Sequence, residues 1–148
     1  MNHMKRILTL ALLATLLLTS CKKDDPITLK GTTYVGQIKQ TVHLGDSGDF
    51  EDLTFDIDQT VTVSFSDDAH GTLVFTANNF DTDEERDSRY SITYTFDGKQ
   101  GTMILYEESG EESDSALFTY NADDESILLE VESFKRNYNV DPFYLYRQ

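Results

Sequence analysis

The chain has 148 residues, 27 of them acidic and 12 basic, for a net charge of −15. Such an excess of acid excludes partners that select basic surfaces, nucleic acid and anionic membrane faces among them. It suits solubility and cationic partners. A single cysteine excludes an intrachain disulfide framework. The length fits one domain that buries about two thirds of its unfolded surface.

The first 20 residues read as an export signal. Lys5 and Arg6 form a basic start, and Ile7 to Leu18 form an apolar run broken only by threonines. A membrane-spanning helix needs about 20 apolar residues, and this run falls well short. Leu18-Thr19-Ser20-Cys21 resembles the lipobox of bacterial lipoproteins. The resemblance implies cleavage before Cys21, a diacylglycerol on its thiol and an acylated new amino terminus. The alternative is a free or buried thiol, or plain secretion with cleavage elsewhere. Each buried methylene is worth about 0.8 kcal/mol, so three acyl chains attach a protein effectively for good. Removal of residues 1–20 takes away two bases and no acid, which carries the net charge from −15 to −17. The next residues, Lys22-Lys23-Asp24-Asp25, resemble the surface-export signal of lipoproteins from Bacteroides-like bacteria. That implies an outer-membrane protein facing outward; an ordinary charged linker is the alternative. Residues 21–28 form the tether, and residues 29–148 form the domain.

From Leu29 onward the pattern has period two, the mark of half-buried strands. Val61, Val63 and Phe65 share one face, with Thr60, Thr62 and Ser64 on the other. Tyr90, Ile92, Tyr94 and Phe96 repeat the device, followed by Ala116, Phe118 and Tyr120, and by Ile127, Leu129 and Val131. Aromatic and β-branched residues fit a pleated surface. The predicted strands are 32–43, 51–57, 60–66, 71–77, 89–96, 101–107, 115–120, 126–132 and 142–147. No amphipathic helix of ten residues is expected after residue 28.

Turn chemistry separates the strands. Asp67 to Gly71 and Asp97 to Gly101 each carry Asp and Gly between a Phe and a Gly-Thr pair. Asn121 to Ser126 makes a third such loop. Successive strands are therefore antiparallel neighbours. Eight or nine short strands must dispose of their edges, and closure into a barrel does so. A two-sheet β-sandwich is the alternative.

Gly31-Thr32-Thr33-Tyr34, Gly71-Thr72-Leu73-Val74-Phe75, Tyr90-Ser91-Ile92-Thr93-Tyr94 and Phe143-Tyr144-Leu145-Tyr146-Arg147 resemble the lipocalin-like small lipoproteins of Bacteroides-like bacteria. The resemblance implies an all-β, up-and-down barrel of about eight strands. Lipocalins open on Gly-x-Trp, and an Arg of the last strand covers that ring. Here Tyr34 replaces the Trp, and Arg147 is the matching arginine. A guanidinium over the Tyr34 ring contributes about 0.5–2 kcal/mol to barrel closure.

Catalytic chemistry is not legible. His43 and His70 read as strand-end and loop histidines, with no metal-binding spacing between them. Asp81-Thr-Asp83-Glu-Glu85-Arg86 begins like a calcium loop, but Arg86 replaces the required glycine and Ile92 the final glutamate. The Glu107–Asp114 run reads as a solvated loop. No nucleophile elbow or phosphate-cradling loop is present, so no enzyme, metal or cofactor is expected. Asp114-Ser115-Ala116 resembles an O-glycosylation site of exported Bacteroides-like proteins, with Ser115 as acceptor.

The expected inward set is Tyr34, Val63, Phe65, Phe75, Tyr90, Ile92, Tyr94, Phe118, Leu129 and Leu145. Its aromatics either line a cavity for a small amphipathic ligand or pack a dry core, and the packed core is preferred. Tyr34, Phe65, Phe75, Tyr90, Tyr94 and Phe118 are the candidate ligand contacts. The expectation is a non-enzymatic outer-membrane surface lipoprotein, held by acylated Cys21, that binds a small amphipathic ligand. A protein-interaction or inhibitor module using acidic loops is the alternative, as is an accessory subunit of an uptake complex.

Overall fold

The computed structural model describes residues 26–44, 53–79 and 84–148. Cys21, the export signal and the start of the calcium-like run at Asp81 lie outside these residues, as does the His43 side chain. Eight strands follow in order: β1 (Thr33–Leu44), β2 (Leu53–Phe65), β3 (His70–Asn79), β4 (Glu84–Phe96), β5 (Gln100–Tyr106), β6 (Glu112–Asn121), β7 (Ser126–Val131) and β8 (Phe143–Arg147). Each pairs antiparallel with the next, and β8 pairs with β1, so the meander closes into a barrel. The sandwich is thereby excluded.

Three predicted boundaries are corrected. Segments 51–57 and 60–66 belong to one strand, β2, whose ladder with β1 runs unbroken from Leu44↔Leu53 to Thr33↔Ser64. β4 begins at Glu84 rather than 89, because its charged start pairs with β3 down to Asn79↔Glu84. β7 ends at Val131, since Glu132–Tyr138 forms a short helix, α1.

The alternation decides which side chains enter the barrel. Val61, Val63 and Phe65 of β2, Leu73 and Phe75 of β3, and Ile92 and Tyr94 of β4 are all at most 6 % exposed. Leu105, Phe118, Leu129 and Leu145 continue the core around the barrel. Nine of the ten expected inward residues are buried; Tyr90 is half-buried at the core's edge.

One end, the base, is sealed. Leu29 is 2 % exposed and plugs it from below. The Gly31 N–H donates to the Phe65 carbonyl at 2.8 Å, and the Phe65 N–H donates to the Thr32 carbonyl at 2.9 Å. Gly31 has φ 75°, a conformation that glycine adopts without steric cost. Above this stitch lies an aromatic plug. The Phe65 ring lies 6.0 Å from Tyr34, 4.7 Å from Tyr94 and 6.0 Å from Phe118. Phe96 stacks on Phe118 at 5.7 Å and meets Tyr120 edge-on at 6.1 Å. Gly101 explains how the Phe118 ring fits: a Cβ there would overlap the ring itself.

The base hairpins are tied to their neighbours. The Asp67 carboxylate accepts from the Ala69 and His70 N–H groups, both at 2.8 Å. Asp97 accepts from Lys99 at 2.8 Å and Gln100 at 2.7 Å. Each loop then takes a bond from the strand beyond it: Tyr94 N–H to the Ala69 carbonyl, and Tyr120 N–H to the Lys99 carbonyl. The Tyr94 hydroxyl also donates to the Asp67 carbonyl at 2.6 Å.

Phe65 touches three rings from three other strands, so its truncation leaves a void that no single side chain fills. Phe65→Ala is expected to cost about 3–5 kcal/mol, as read by chemical denaturation. The amide bonds hold the Asp67 and Asp97 carboxyls below the ordinary aspartate range. Their contribution is complete above that range and disappears as pH falls through the lowered values. The variant D67N/D97N should therefore lose less melting temperature than wild type between about pH 4 and pH 2.

Candidate functional site

The end opposite the base is built differently. Among the described residues, β8 pairs in register with β1 only at Tyr34 and Val35, and β3 pairs with β2 only as far as Gln59↔Ala77. The β1–β2 hairpin continues as a free arm through Lys39↔Asp58 to Leu44↔Leu53. β4 pairs with β5 only from Ser91, so Glu84 to Tyr90 form the outer strand of a second arm with β3. Charged residues on such free edges discourage strand addition.

The arms keep the barrel's alternation, so Val42, Ile57, Phe75 and Tyr90 lie on the inner side. Val42 is 2 % exposed, and Ile57 and Tyr90 pack at the core's margin. Helix α1 lies between β7 and β8 and covers this end. Its Phe134 ring rests 5.0 Å from Phe75, which meets Tyr90 at 6.1 Å. Tyr138 meets Phe55 of the first arm at 5.9 Å, edge to face. Val140, just past the helix, is 4 % exposed.

Two side chains from other strands fasten this lid. The residue before the helix is Val131, which offers no capping oxygen. Asp114 of β6 supplies one instead: its carboxylate accepts from the Ser133 N–H at 3.2 Å and from the Ser133 hydroxyl. A register shift beside Leu105 and Tyr106 sets the start of β6, where Asp114 stands opposite Leu105. At the far end, Gln40 of β1 donates to the Asn139 carbonyl at 3.0 Å and accepts from the Asp141 N–H at 3.2 Å. Asn139 ends the helix in the left-handed conformation, φ 51°.

Beneath this end, one row crosses the inner face of four strands: Ile38, Gln59, Ala77 and Arg86, in register. The Gln59 Oε1 atom is buried and has no hydrogen-bond partner. Arg86 is exposed and makes no ion pair or hydrogen bond among the described residues.

The six expected ligand contacts divide into two groups. Tyr34, Phe65, Tyr94 and Phe118 belong to the packed base. Phe75 and Tyr90 belong to the open end, with Phe134, which the sequence reading missed. Burial pushes the phenol pKa of Tyr34 upward, and does the same for Tyr94, where the Asp68 and Asp67 charges add to it.

The expected cover of Tyr34 by Arg147 takes another form. The two residues pair in register, but the guanidinium is ion-paired with Glu125, and the Tyr34 ring packs on Phe65 instead. A carboxylate within reach binds a guanidinium more strongly than a phenol face does. Ser115 lies half-buried on β6, with its N–H donating to the adjacent Asp114 carboxylate at 2.8 Å. His70, expected in a loop, is the first residue of β3, and its Nδ1 lies 3.0 Å from Asp67.

Two grooves flank the base. One, of about 450 Å³, runs between Phe96, Gly101, Leu117 and Phe118. The other, of about 430 Å³, lies where Pro26 to Lys30 pass Asp68 and Phe96. Among the described residues, no three His, Cys, Asp or Glu side chains converge as metal ligands. Comparison with protein-family models, curated proteins and solved structures finds no match to this chain.

The lid depends on a cap borrowed from β6. Asp114→Ala is expected to cost about 1 kcal/mol. Hydrogen exchange should quicken across Glu132–Tyr138 while the β2 and β7 amides keep their protection.

Proposed function

We propose that this protein is a lipid-anchored, non-enzymatic binding module of the outer-membrane surface. It takes a small amphipathic ligand at the lidded end of the barrel. The observation that carries this reading is the contrast between the two ends. The base spends its aromatics on one another. The opposite end has a helix laid across its apolar inner side and, among the described residues, two polar groups without partners.

Ligand sites combine an apolar lining with a few polar groups that fix orientation. Phe75, Tyr90 and Phe134 supply the first element, and Gln59 and Arg86 supply the second. The anchor rests on the lipobox-like run ending at Cys21, and the outward display on Lys22 to Asp25.

A protein partner is a second reading. Leu117, Tyr144 and Tyr146 are each at least 50 % exposed, and the two tyrosine rings lie side by side at 6.4 Å. Aromatic residues of this kind are enriched at interfaces.

Cys21→Ser is expected to move the protein from the membrane fraction to the soluble fraction; retention after a high-salt wash would end the anchor reading. Native mass spectrometry of the mature protein should show a small-molecule adduct, or uptake of a neutral apolar dye. A bare mass with no dye uptake excludes the ligand reading.

A further inference from the structure

The row Gln59–Ala77–Arg86 has features that packing alone does not account for. A buried amide oxygen without a donor loses its hydration and gains nothing in return. Gln59 is in that position, although a leucine at the same place would continue the apolar phase of Ile57 and Val61. In register with it, two strands away, Arg86 stands at an inward position, and among the described residues its guanidinium has no ion pair or hydrogen bond. The same chain pairs Lys39 with Asp58, Lys135 with Glu130 and Arg147 with Glu125.

Resting on the ligand reading above, we infer that this row recognises the head group of the ligand, a carboxylic acid bearing a hydroxyl or amide N–H beside its carboxylate. The carboxylate pairs with Arg86, the donor satisfies Gln59 Oε1, and the apolar body lies against Phe75, Tyr90 and Phe134. The spacing fits: strands two apart are separated by about 9–10 Å, and both residues stand at inward register positions of the row. A bidentate guanidinium–carboxylate pair fixes orientation as well as affinity. A neutral lipid has nothing to offer Arg86. A plain fatty acid leaves Gln59 as it stands without ligand.

The test uses the mature protein with the neutral dye N-phenylnaphthylamine as reporter. Three competitors displace it: 3-hydroxydecanoic acid, decanoic acid and methyl 3-hydroxydecanoate. The hydroxy acid is expected to bind about tenfold more tightly than its ester and several-fold more tightly than the plain acid. Arg86→Gln should erase the advantage of acid over ester. Gln59→Leu should erase the advantage of the hydroxyl alone. It should also raise the melting temperature of the ligand-free protein, because it removes an unpaired buried oxygen.

Dye binding with equal displacement by acid and ester overturns this inference and leaves the proposed function standing. Absence of dye binding overturns both. If Gln59→Leu lowers the melting temperature and keeps the hydroxyl preference, Gln59 serves packing and the head-group assignment fails.

Discussion

Phe65 is the residue on which the rest of the barrel depends. Its backbone stitches the incoming chain to β2 through Gly31 and Thr32, and its ring joins β1, β4 and β6 across the interior. A barrel closed by hydrogen bonds alone would leave its axis empty, and an empty axis forfeits dispersion contacts on every side. Here the axis at the base is filled by rings in edge-on and tilted arrangements, which aromatic quadrupoles favour. With no disulfide available to the domain, this plug and the strand ladders carry its stability.

The plug also explains why the two ends differ. Aromatics concentrated at the base draw the strands together there, and glycine at position 101 admits the Phe118 ring. Toward the other end Gly36, Gln40, Gln59, Ala77 and Ser88 are interspersed with Ile38, Val42, Ile57, Phe75 and Tyr90 on the inner side. β1 loses β8, and β4 loses β5. A helix too short to be stable alone fills the gap between β7 and β8, and it holds because Asp114 and Gln40 reach it from the neighbouring strands.

Much of the barrel was legible because period two requires little context. Val61-x-Val63-x-Phe65 and Tyr90-x-Ile92-x-Tyr94 announce a buried face, and Asp-Gly turns between them leave only antiparallel neighbours. The errors have physical causes. The predicted strands 51–57 and 60–66 leave the polar pair Asp58-Gln59 between them, yet the phase Phe55, Ile57, Gln59, Val61 never breaks. The residue that disguised the strand is the one with the orphan oxygen. The start of β4 was missed because a strand paired on one side needs no apolar pattern. Helix α1 lacked a local cap, since Asp114 lies 19 residues before Ser133. Asn139 and Pro142 were its only local stop signals. Of the candidate contacts, composition found the aromatics; it had no means of dividing plug from wall, which requires knowing where the ladders end.

The chain comes into the fold at the base, where Pro26 to Lys30 run beneath the plug beside Asp68. Whatever grips the residues before Pro26 therefore grips the blind tip of the molecule, as a flute is held by its stem. On the proposed anchoring at Cys21, the lidded end is then the end of the barrel farther from the attachment.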